Sequence, residues 1–234
     1  MSARAERLIV ALDVPDLVTV DVALARLLGV TPFFKVGLEL FTAVGPPAVE
    51  RVVACGGRVF LDLKVHDIPA TARGALRSAA RLGASLVTVH ALGGPAMIGA
   101  AREAAEAGGP RAPKVLAVTV LTSHAEEDLA VLGLAGPIST AVLRLGRMAV
   151  AAGAHGLVCS PLEARALRAA LGPDVLLVVP GVRPAGAAAD DQRRTLTPAE
   201  AIAAGADHVV VGRPILGAAD PGAAARAILA EMAG

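Results

Sequence analysis

The segment FLDLKVHDIPATA, residues 60–72, sets Asp62, Lys64 and Asp67 at the end of an apolar run. Ionised side chains are rarely buried unless they are paired. Residues two apart on a strand share a face, so Asp62 and Lys64 point one way while Leu61 and Leu63 point the other. A carboxylate beside an ammonium supplies fixed charge and a transferable proton, or else forms a structural ion pair. Lysine usage bears on that choice. Of 22 cationic residues, only Lys35, Lys64 and Lys114 are lysine. Lys35 in FFKVG and Lys64 in LDLKV both stand near strand ends. An ammonium, unlike a guanidinium, changes its pKa readily on burial and can give and take a proton.

Positioning such groups takes rigid elements. Eight β-branched runs recur: residues 8–13, 33–37, 58–64, 85–91, 114–121, 155–160, 174–181 and 207–213. Ala-rich helical patterns fill the intervals at about 16–29, 43–56, 69–83, 95–108, 137–153, 161–172, 197–204 and 220–232. Ser160-Pro161 with Glu163, and Thr197-Pro198 with Glu200, read as helix starts, and Asp16 as the cap of the first helix. Strand–helix alternation demands a parallel sheet. Eight units in 234 residues predict one α/β domain, a closed (β/α)8 TIM barrel spanning 1–234. A doubly wound sheet is the alternative, but no G-x-G-x-x-G follows the first run.

Composition narrows the function. The chain is 55% hydrophobic, with four Phe and neither Trp nor Tyr, so its core must be Ala, Val, Leu and Ile. A net charge of +1, without a basic run or aromatic platform, argues against nucleic-acid binding. No apolar run has the length of a membrane span and the start has no signal-peptide pattern, so a cytoplasmic protein is expected. Cys55 and Cys159 read as buried, reduced thiols without metal-site spacing.

In such a barrel the site lies at the C-terminal ends of the strands. There the chain offers Asp13, Lys35, Asp62, Lys64 and Asp67, then Thr122 and Ser123, and finally Arg183, Gln192, Gly212 and Arg213. Loops after the seventh and eighth strands often bind phosphate; Gly181, Arg183, Gly212 and Arg213 fit that role, the alternative being solvated arginines. Residues 180–196 form a long irregular stretch of the kind that usually serves function. His66 has odd parity relative to Lys64 and should face away. His90 is either a site residue or a satisfied buried histidine. His124, His155 and His208 look peripheral or structural.

These residues carry a resemblance. The segments ALDVPD (11–16), FFKVGLELF (33–41), FLDLKVHDIPATA (60–72), TVHALGG (88–94), VTVLTS (118–123), VVPGVRP (178–184), DDQRRTLTPAEAI (190–202) and GADHVVVGRPI (205–215) follow in order. Together they resemble the bacterial-type orotidine 5′-phosphate decarboxylase family. The resemblance implies a homodimeric (β/α)8 barrel that converts orotidine 5′-phosphate to UMP without metal or organic cofactor. It makes Lys64 the proton donor, sets Asp62 against the departing carboxylate, and joins Lys35 and Asp67 to the same charge network. Asp67 would cross the dimer interface, with Ile68 and Thr71 reaching the partner's substrate. Asp13 and Lys35 would hold ribose hydroxyls; Thr122 or Ser123, with Gln192, would address the pyrimidine. Arg213, Gly212 and Gln192 would bind phosphate, Pro180 would line the same site, and Arg183 would close the loop.

Two positions depart from the family pattern: Val65 stands for Phe and Ala70 for Asn. Neither bears charge chemistry, so packing detail alone is in question. Two other readings compete. One is a Mg2+-dependent keto-sugar-phosphate decarboxylase or aldolase, which carries a carboxylate where this chain has Lys35; a cation there opposes metal binding. The other is a non-catalytic phosphate-binding barrel, which would gain nothing evident from four buried charges.

Overall fold

The computed structural model describes residues 4–134, 136–184 and 195–233. Eight parallel strands close into a barrel in sequence order: Leu8–Ala11 (β1), Phe33–Gly37 (β2), Arg58–Val65 (β3), Leu86–His90 (β4), Lys114–Val118 (β5), Gly156–Val158 (β6), Leu176–Val179 (β7) and His208–Val211 (β8). The ring shuts where Leu8 pairs with Val209 and Val10 with Val211. Around it, among the described residues, run Leu17–Leu27 (α1), Leu38–Val44 (α2), Pro47–Ala54 (α3), Pro69–Arg81 (α4), Gly94–Glu106 (α5), Glu126–Val131 (α6), Ile138–Ala151 (α7), Pro161–Leu171 (α8), Pro198–Ala203 (α9), Arg213–Leu216 (α10) and Pro221–Glu231 (α11).

Strand alternation builds two cores. Leu8, Val10, Phe34 and Leu61 face outward and pack with the helices. Ile9, Phe33, Phe60, Leu86, Leu116 and Val210 fill the barrel axis. Phe33 plugs the lower end: the Arg58 guanidinium lies 4.4 Å from its ring centroid and His208 meets it edge-on at 5.5 Å. Above this apolar plug the inward positions turn polar. Register sets Lys35 beside Ala11 and Phe60, and Asp62 beside Gly37.

The expected helix starts hold. Asp16 Oδ1 accepts the Thr19 N–H at 2.8 Å, and Ser160 with Glu163 and Thr197 with Glu200 form reciprocal caps. Other expectations are corrected. The pattern at 43–56 shortens to α3, and α2 precedes it as a separate helix, because Gly45 adopts φ 70° and Pro46 and Pro47 restart the chain. The runs at 8–13, 114–121 and 174–181 yield shorter strands ending at Ala11, Val118 and Val179, so their polar ends lie in loops above the barrel. Cys159 is buried, but Cys55 is exposed, because it sits at the C-cap of α3, outside the helix layer. No helix among the described residues is long and apolar enough to cross a membrane.

Candidate active site

The C-terminal mouth of the barrel holds a cavity of about 320 Å3. Asp13, Lys35, Asp62 and Lys64 line one wall. Thr122 and Ser123, in the loop after β5, line another. Pro180, Gly181, Arg183, Gly212 and Arg213 come from the loops after β7 and β8. Phe60, Val118, Val158 and Val210 close the apolar floor, with Cys159 beside them. Gln192 and the acids Asp190 and Asp191 lie outside the described residues.

The charged wall is a connected chain of ion pairs. Lys35 Nζ lies 2.8 Å from Asp13 Oδ1 and 3.9 Å from Asp62 Oδ2. Lys64 Nζ lies 2.8 Å from the same Asp62 oxygen. Two carboxylates and two ammoniums sum to zero formal charge, which makes their partial burial feasible. Gly37 makes room for the cluster: a Cβ there would stand 2.6 Å from Lys35 Nζ. Sequence reading did not single out Gly37; its place two residues after Lys35, on the same strand face, is the signal.

Lys64 has φ 50° and is the sole non-glycine residue with positive φ among the described residues. For a side-chain-bearing residue such strain costs about 1–3 kcal/mol and persists where surrounding contacts enforce it. A bulge explains it. Leu61 pairs with Val87, yet Val65 pairs with Val89, so residues 62–64 stand opposite Thr88 alone. Simple alternation therefore does not govern this segment, although Asp62 and Lys64 both reach the cavity, as expected.

Asp67 is not part of this cluster within the chain. Its carboxylate accepts the Ile68 N–H at 2.6 Å, and Asp67, Ile68 and Thr71 are all exposed around the start of α4. Within one chain the ionic group is Asp13, Lys35, Asp62 and Lys64, and the Asp67 expected from a second chain is not part of it. Asp67 falls beyond the end of β3, where the chain turns outward into the helix.

The histidines stand aside. Neither His66 nor His90 lines the cavity; their rings stack at 5.3 Å, and His90 Nδ1 accepts the Leu92 N–H at 3.3 Å. His90 thus has one ring nitrogen bonded to the main chain and lies outside the cavity lining. Burial first, then the charges of His66 and Lys64, push its pKa down to about 4. Burial likewise pushes His155, which accepts the Val115 N–H, down to about 4. Both rings stay neutral in the folded chain but take up protons on unfolding below about pH 6.5, the ordinary value. The unfolded state therefore binds more protons across that window, and stability falls as the pH drops from about 6.5 to 4. The imidazole resonances of His90 and His155 should titrate near 4, with the thermal midpoint declining over the same interval. Titration of both near 6.5 would show the rings to be solvated.

Among the described residues, no group of three or more His, Cys, Asp or Glu side chains could hold a metal ion. The cavity offers ammonium and guanidinium groups around carboxylates, a setting for an anionic ligand.

Comparison with known proteins places this geometry. Residues 6–228 match the family described as orotidine 5′-phosphate decarboxylase / HUMPS. The orotidine 5′-phosphate decarboxylase of Anaeromyxobacter sp. (strain K) is 56% identical over 227 residues, covering 97% of this chain and 98% of that protein. The enzyme of the same name from Halorhodospira halophila is also 56% identical, over 97% and 96% of the two chains. The crystal structure of orotidine 5′-phosphate decarboxylase from Lactobacillus acidophilus superposes with a TM-score of 0.86 at 40% identity, covering 98% of this chain and all of that one.

Proposed function

The chain belongs to the orotidine 5′-phosphate decarboxylase / HUMPS family, and we propose that it removes CO2 from C6 of orotidine 5′-phosphate to give UMP, with Lys64 as proton donor. The carrying observation is the Asp13–Lys35–Asp62–Lys64 ionic chain at the barrel mouth. The reaction belongs to pyrimidine biosynthesis.

The C6–carboxylate bond breaks, CO2 departs uncharged, and the electron pair remains on C6 in an orbital the ring delocalises poorly. In this reading the Lys64 ammonium stabilises that pair and then donates its proton to C6; the neutral amine regains a proton from solvent. Lys64 is already held 2.8 Å from Asp62, so little reorganisation accompanies the charge movement. Asp62 stands against the departing carboxylate. Asp13 and Lys35 meet the ribose hydroxyls, and Thr122 or Ser123 meets the pyrimidine with Gln192.

Phosphate is assigned to Gly212 and Arg213, which line the cavity with Arg183; Gln192, given the same role by the resemblance, lies outside the described residues. Remote phosphate contacts then organise the reacting end. Arg213→Ala should weaken UMP binding by about 10²-fold while leaving uridine binding within about threefold, the scale expected for losing a charge-assisted contact. Calorimetric titration of both ligands checks this, and equal losses would remove the phosphate role.

The active unit is assigned as a homodimer with shared sites. Its support is the exposed rim of Asp67, Ile68 and Thr71, where Ile68 is 66% exposed. A cytoplasmic setting is supported by two cysteines outside any disulfide, one of them exposed. Catalysis without metal or cofactor is supported by Lys35, an ammonium hydrogen-bonded to Asp13 and 3.9 Å from Asp62, carboxylates that would otherwise be available to a cation. A keto-sugar-phosphate reaction using Mg2+ is disfavoured on the same ground. The deciding assay follows loss of orotidylate absorbance with and without chelator. Chelator-insensitive turnover is expected; inertness toward orotidine 5′-phosphate, or chelator-sensitive turnover of a keto-sugar phosphate, would overturn the assignment.

A further inference from the structure

We propose that Thr88 is a positioning residue, whose hydroxyl locks Lys64 and Asp62 into the geometry the reaction needs; this rests on Lys64 being the proton donor. Thr88 is fully buried on β4 and does not line the cavity, so it cannot touch substrate. Its Oγ1 accepts the Lys64 N–H at 2.8 Å and donates to Asp62 Oδ1 at 2.9 Å. The direction of both bonds is dictated: an amide can only donate and an ionised carboxylate can only accept.

The bulge makes this hydroxyl necessary. Residues 62–64 stand opposite Thr88 alone, so the strand ladder is interrupted there, and a side chain takes over the bonding of the Lys64 N–H. The second Asp62 oxygen holds Lys64 Nζ at 2.8 Å. Lys64 is therefore gripped at both ends, by its main chain through Thr88 and by its ammonium through Asp62, and Thr88 joins the two grips. Its left-handed backbone, φ 50°, is thereby tied to the carboxylate that orients its side chain.

Valine has nearly the shape of threonine but would leave the Lys64 N–H and Asp62 Oδ1 without this partner. Serine keeps the hydroxyl and loses only a methyl. Thr88→Val should lower kcat by about 10²-fold with KM within about threefold, because small misplacements of a reacting group have that effect. Thr88→Ser should stay within about threefold of the parent in kcat. In the unliganded protein, Lys64 amide exchange should be about tenfold faster in Thr88→Val than in the parent or in Thr88→Ser.

Unchanged kcat and unchanged Lys64 exchange in Thr88→Val would overturn the proposal. So would losses in Thr88→Ser as large as in Thr88→Val that track the thermal midpoint, since those report packing. The exchange measurement requires no substrate. A parent protein inert toward orotidine 5′-phosphate would strike the reaction assigned above, while Lys64 exchange would still decide the clamp.

Discussion

Lys64→Ala should lower kcat by about 10⁴-fold or more while UMP still binds measurably, since it removes both a proton donor and a fixed charge beside the reacting carbon. Lys64 Nζ is one of two ammoniums within 4 Å of Asp62 Oδ2, at 2.8 Å against 3.9 Å for Lys35. Removing it leaves Lys35 to balance Asp62, so the fold keeps a partner for its buried carboxylate. The cost therefore falls on the transition state rather than on stability. Steady-state rates and calorimetric UMP binding check this together. Near-normal turnover in the variant would refute the proton-donor role, and loss of UMP binding in parallel with turnover would reduce Lys64 to a ligand contact.

Mixing inactive Lys64→Ala protomers with impaired Asp67→Ala protomers should restore activity to about one quarter of the wild-type value per site. The reasoning is symmetry. Random exchange makes about half the dimers hybrid, and each hybrid contains one site with an intact Lys64 and its partner's intact Asp67. The expectation follows from the rim position of Asp67, which bonds only the adjacent Ile68 N–H among the contacts described and stays apart from the Asp62 cluster of its own chain. An acid so placed can serve the reaction only if a second chain brings it over the mouth. The assay is a subunit-exchange titration. No recovery above the sum of the separate variants would show that each barrel works alone, and that Asp67 is a surface carboxylate.

Some features were legible from residues alone because they depend on local patterning. Eight β-branched runs separated by Ala-rich helices allow a closed parallel barrel. Strand-end positions of Lys35, Asp62 and Lys64 direct their charge to its mouth, and Arg213 with Gly212 follows the last strand. Capping residues such as Asp16 and Ser160 act within three positions of themselves, so their bonds can be read without tertiary knowledge. The boundary between α2 and α3 is also local, written in Gly45 and two prolines.

What the sequence determined by itself was thus the barrel, the family resemblance and the residue types at its mouth, since periodicity and chain order are one-dimensional properties. Only the tertiary structure decided that Asp13 completes the ionic chain, that Lys64 takes a left-handed backbone, and that Thr88 holds it there. Those features arise between strands far apart in the chain. A bulge is a mismatch of two registers, and neither strand carries that information until the other lies beside it.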